Sequence, residues 1–97
     1  MRIYKYELKE FGENRIAMPC GAQVLSTGID PKGQVCIWAL VDEKQENEDK
    51  YFMVAGTGWN LTTMSEAYHS FENYIYVFKG TVIQDSYVWH IFEKQFI

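Results

Sequence analysis

The 97-residue sequence predicts a mainly β fold: a small antiparallel sandwich or open barrel of about seven strands, with one short helix near residues 62–73. Three observations carry that expectation. Apolar and polar residues alternate with period two over several short stretches, and clusters containing Gly or Pro separate those stretches. Phe, Trp and Tyr make up 16% of the chain, and such residues suit a pleated, half-buried surface.

Residues 2–8 alternate, placing Tyr4, Tyr6 and Leu8 on one face and Lys5 and Glu7 on the other. Phe11-Gly12-Glu13-Asn14 reads as a turn before a short strand over residues 15–18, with Ile16 and Met18 on one face. Pro19-Cys20-Gly21-Ala22 stops it, because proline cannot donate to a ladder. A third strand over 23–29 and a fourth over 34–41 flank Asp30-Pro31-Lys32-Gly33, where proline presets φ at the second turn position and glycine closes.

The fourth strand carries Val35, Ile37, Ala39 and Val41 on one face and Cys36, Trp38 and Leu40 on the other. Both faces are apolar and both need covering, so the strand is central or its second face meets another subunit. Residues 42–50 hold five acids and two lysines with no apolar side chain and read as a solvated loop. A fifth strand over 51–55 ends at Gly56-Thr57-Gly58. Thr63-Met64-Ser65-Glu66 fits a capping box, and Met64, Ala67, Tyr68 and Phe71 follow helical spacing, which predicts the helix. The last two strands, over 74–83 and 87–93, are joined by a three-residue connection, Gln84-Asp85-Ser86.

This length fits one domain over residues 1–97, and a chain so small buries only about 60–65% of its unfolded surface, so a shared interface would help it. Thirteen acids against nine bases give a net charge of −4, which opposes tracking along a long nucleic acid but permits a small phosphorylated ligand. Cys20 and Cys36 have no nearby His to complete a metal set. The longest apolar run, residues 35–41, is far too short to cross a membrane as a helix. No leader-like segment precedes the first strand, and a cytoplasmic chain with free thiols is expected.

Candidates for chemistry are few. His69 falls on the expected helix, and no His-x-x-x-His spacing, carboxylate pair or nucleophile elbow occurs, so neither an enzyme nor a cofactor is expected. Trp38 reads as a core residue. Trp59 instead follows the Gly56-Thr57-Gly58 turn, outside any strand pattern, as a lid on the core or as a stacking platform. Around it the sequence assembles a candidate ligand site. Gly56, Thr57 and Gly58 could turn backbone N–H groups outward, and Asn60 brings a paired donor and acceptor. Arg15 suits an anionic group, and His90 on the last strand could add stacking or a hydrogen bond.

The runs Arg2-Ile3-Tyr4-Lys5-Tyr6, Met18-Pro19-Cys20-Gly21-Ala22, Trp38-Ala39-Leu40-Val41-Asp42, Gly56-Thr57-Gly58 and Val88-Trp89-His90-Ile91-Phe92-Glu93 span nearly the whole chain. In order and spacing they resemble a family of small phage and prophage proteins. The resemblance implies a small β protein encoded in a phage genome. Two departures stand out: the residue after Gly58 is commonly histidine in that family and is Trp59 here, and the stretch 62–73 is longer and more helical. By analogy with small phage proteins that counter bacterial immunity, the expected function is binding without catalysis. A homo-oligomer in the host cytoplasm would sequester a small nucleotide-type signal. The competing expectations are a protein–protein inhibitor of a host defence complex, of the anti-CRISPR type, and a minor virion or assembly component.

Overall fold

A computed structural model describes residues 1–61 and 74–96, and these form seven strands in two antiparallel sheets. In chain order they are β1 (Arg2–Glu7), β2 (Gly12–Pro19), β3 (Gln23–Ile29), β4 (Val35–Val41), β5 (Asn47–Gly56), β6 (Tyr74–Gln84) and β7 (Tyr87–Phe96). One sheet has the order β1-β4-β3 and the other β2-β5-β7-β6. Both sheets are open, and neither closes into a barrel. The described residues contain no helix; the helix expected over 62–73 lies outside them.

The two sheets bury a common core between them. Val35, Ile37, Ala39 and Val41 of β4 meet Phe52 and Val54 of β5, Ile91 and Trp89 of β7, Met18 of β2 and Val82 of β6. The β4 expectation is answered by its position: it is the central strand, with β1 and β3 hydrogen-bonded on either side. Its outer face is only partly covered. Cys36 is buried there, Trp38 and Leu40 are half-buried, and Ile3 across from Leu40 is exposed. Trp38 is therefore not in the inter-sheet core. Its ring lies over Gly28 of β3, where a Cβ would come within 3.2 Å of the indole, and the buried tryptophan is Trp89.

Three local expectations change. β2 begins at Gly12, because the Asn14 side chain both accepts from the Glu10 N–H and donates to the Glu10 carbonyl, closing the turn earlier. β5 begins at Asn47, so residues 47–50 of the expected acidic loop are strand, paired with residues 16–19 of β2. That half of β5 borders an edge strand, and its charged side chains stay at the surface, so it shows no apolar alternation. The β6–β7 hairpin turns through two residues, Asp85 and Ser86, rather than three, with Asp85 at φ 54° in the left-handed region.

The turn at Asp30 matches its reading. Gly33 at φ 85° donates to the Asp30 carbonyl, while the Asp30 side chain accepts from the N–H groups of Lys32 and Gln34. The Lys5 ammonium, 2.9 Å away, holds the Asp30 carboxyl down at about 2, aided by those backbone donors.

Candidate functional site

Aromatic rings gather at the end of the molecule where β5 finishes and the β6–β7 hairpin turns. Trp89 points inward from β7 and is nearly buried. Phe11, from the β1–β2 turn, lies almost parallel to its indole with centroids 4.6 Å apart, and Tyr87 does so at 5.7 Å. Trp59 meets the same indole edge-on, at 5.9 Å and 82°. Phe11, Tyr87 and Trp59 are 64%, 61% and 46% exposed, so one buried ring supports three rings open to solvent.

Between Trp59, Tyr87 and Trp89 runs a groove of about 320 Å³, completed by Gly56, Thr57, Ser86 and Val88. None of these residues carries a charge at neutral pH. The Trp89 indole N–H donates to Gln84, whose amide donates in turn to the Gly33 carbonyl. The hairpin and the Asp30 turn are thereby tied to the ring that underlies the groove.

The sequence-derived candidates divide. Gly56, Thr57 and Trp59 line the groove, and Gly58, at φ 87°, permits the turn that brings Trp59 back over Gly56. A Cβ on Gly56 would lie 2.5 Å from the Trp59 Nε1, so glycine is what lets the indole sit there. His90 joins them from the outer face of β7: its Nε2 is 2.7 Å from the Thr57 hydroxyl and its Nδ1 is 3.0 Å from that of Thr81. Asn60 is exposed next to Trp59. Arg15 stands apart. It is exposed on β2 opposite Tyr51, five residues before Gly56 along β5, which is roughly 16 Å at strand rise.

The turn is also less open to anions than the glycines suggest. Thr57 N–H donates to the Val88 carbonyl and Trp59 N–H to the Gly56 carbonyl, so two of its donors are already spent. Among the described residues no cationic side chain lines the groove.

Phe11, Thr81, Tyr87 and Trp89 escaped the sequence reading as site residues. Tyr87-x-Trp89 does carry a signal, two aromatics on one face at a hairpin start, but Phe11 reaches the site only through the pairing of distant strands. A larger cleft of about 460 Å³ lies elsewhere, beside Lys50, Lys79 and Glu93. Its lysines already face acids, Lys79 with Glu93 at 3.8 Å and Lys50 with Glu48 at 3.7 Å, and none of the sequence candidates lies there. Among the described residues no group of three or more His, Cys, Asp or Glu side chains could hold a metal ion, and no helix is long and apolar enough to cross a membrane.

The strand order and the aromatic end define a mainly β protein of two open sheets with a ring-lined groove at one end. The chain belongs to the family described as Domain of unknown function (DUF7352), whose profile matches residues 1–96. No curated protein and no solved structure matches it.

Proposed function

We propose that the protein is a non-enzymatic binder that holds a flat ring against Trp59, Tyr87 and Trp89, and that its ligand is a small nucleotide-type molecule. One observation carries the reading: three solvent-open aromatic rings are braced on one buried indole around an uncharged groove. Rings held rigidly by their neighbours bind with little ordering cost, and base stacking on an aromatic is worth about 1–3 kcal/mol. In this reading the base sits in the groove and the phosphates point to solvent.

A ligand that binds the native state raises the melting temperature by mass action. Adenosine and uridine monophosphates should therefore stabilise the protein, while ribose 5-phosphate, which lacks a base, should not. Equal stabilisation by all three, or by none, refutes ring recognition.

The wider proposal is that a phage encodes this chain to blunt host immunity in the host cytoplasm, sequestering a nucleotide-type signal in a homo-oligomer. Its support is the resemblance set out above together with the half-covered outer face of β4. Native mass spectrometry after incubation with lysate from an infected, defence-bearing cell reports subunit number and bound mass together. A bound host protein in place of a small mass would instead favour the inhibitor reading.

A further inference from the structure

Thr57 lines the aromatic groove, yet its hydroxyl is also the end of a chain that leads away from it. The chain runs from Thr57 Oγ1 through His90 Nε2 and Nδ1 to Thr81 Oγ1, with links of 2.7 and 3.0 Å. It is built across three elements: the turn after β5, β7 and β6, with Thr81 directly opposite His90 in the β6–β7 ladder.

Proton counting gives this chain a property that a lone hydroxyl held by a fixed donor would lack. Two hydroxyls and one neutral imidazole bring three mobile protons to two links. With the imidazole proton on Nδ1, His90 donates to Thr81 and Thr57 donates to Nε2, so Thr57 turns only lone pairs toward the groove. With the proton on Nε2, the order reverses: Thr81 donates to Nδ1, Nε2 donates to Thr57, and the Thr57 proton is free to point at a ligand. The two arrangements differ by a tautomer and two hydroxyl rotations, with no movement of heavy atoms.

We propose that this chain reads the edge of the bound ring, and that the site accepts flat heterocycles whose edge offers either a hydrogen-bond donor or an acceptor while disfavouring plain hydrocarbon rings. This rests on the ring-binding reading above and deepens it, naming the ligand class as heteroaromatic with a polar edge. Such adaptability suits a ligand set whose bases differ in their amino and carbonyl groups.

Three flat bicyclic probes of similar size test the proposal by calorimetric titration: indole, which only donates, coumarin, which only accepts, and naphthalene, which does neither. At neutral pH all three stay uncharged. The wild-type protein should bind indole and coumarin with similar affinity and naphthalene about tenfold more weakly, the scale of one net hydrogen bond. Thr57→Val should treat all three probes alike. Trp59→Ala should weaken all three, which tests the ring platform separately. If no probe binds the wild type, the ring-binding reading fails. If the probes bind but indole and coumarin differ by about tenfold or more, or Thr57→Val still discriminates against naphthalene, edge reading is overturned while ring binding stands.

Discussion

Replacing Gly56 by alanine puts a methyl group where the Trp59 indole now lies. That carbon would sit 2.5 Å from Nε1, 2.9 Å from Cε2 and 3.0 Å from Cδ1, all well inside ordinary contact. Gly56 does not sit at positive φ, so the backbone accepts alanine and the indole, at the end of an exposed side chain, is what must move. Moving it sacrifices the edge-on contact with Trp89, worth about 0.5–1.5 kcal/mol beyond its area. Against that loss stands the stiffer unfolded chain, worth about 0.4–1 kcal/mol. Stability should thus change by less than about 1 kcal/mol, while ligand binding loses the stacking platform, a weakening of about 5- to 150-fold. Thermal melts by circular dichroism and calorimetric titration with adenosine monophosphate measure the two quantities. Wild-type affinity in Gly56→Ala would show that the indole position is irrelevant to binding. A stability loss of several kcal/mol would show that Trp59 acts as core.

Further outcomes follow from the charges, the thiols and the outer sheet face. The Asp30 carboxyl is held at about 2 by Lys5 and two backbone donors, below its unfolded value, so its contribution is present above about pH 4 and disappears as pH falls towards 2. Asp30→Asn should flatten the fall in melting temperature over that window, and an unchanged acid slope would contradict the assignment. Burial pushes the Cys36 thiol up to about 11, with Asp30 adding to the effect, whereas Cys20 is exposed. Iodoacetamide at about pH 8 should therefore label Cys20 alone in the native protein and both thiols in denaturant, as read by peptide mass mapping. If the outer face of the β1-β4-β3 sheet meets a second copy, Ile3→Asp, an exposed position opposite Leu40, should convert an oligomer to a monomer in light scattering. A wild-type monomer at micromolar concentration would rule that interface out.

The parts of the fold that could be read in advance are those where one local cause dominates. Asp30-Pro31-Lys32-Gly33 has one low-energy outcome, and the two apolar faces of β4 leave few places for it other than a sheet centre. The start of β5 was hidden because Glu48 and Asp49 face water and Lys50 turns its ammonium to Glu48 beside an edge strand, where a ladder forms without apolar alternation. The reading of Trp38 as a core residue failed for a different reason. Trp38 and Trp89 both alternate among apolar neighbours, and only the way the sheets face each other decides that Trp89 points inward. At the site, Trp59 was legible from its place after a glycine turn, and His90 from its strand. Their partners were not: Phe11 arrives through a pairing of strands far apart in sequence, and Thr81 through the register of the two-residue hairpin. Arg15 misled because a lone guanidinium indicates chemistry but not location.

The placement of β7 between β5 and β6 has a consequence for the order in which the molecule is made. The β1-β4-β3 sheet can pair as soon as the chain has been synthesised through Val41, since all three strands precede that point. The second sheet cannot. β2 and β5 can zip together early, but Phe52 and Val54 then wait with their neighbouring ladder unfilled until the final strand leaves the ribosome and slots between β5 and β6. A nascent chain halted before Tyr87 would thus present a finished three-stranded sheet and an unsealed apolar surface, the form most exposed to aggregation and to chaperones. Completion of the ring-lined groove, which needs Tyr87 and Trp89, coincides with the arrival of β7, so the aromatic end forms only when the second sheet is sealed.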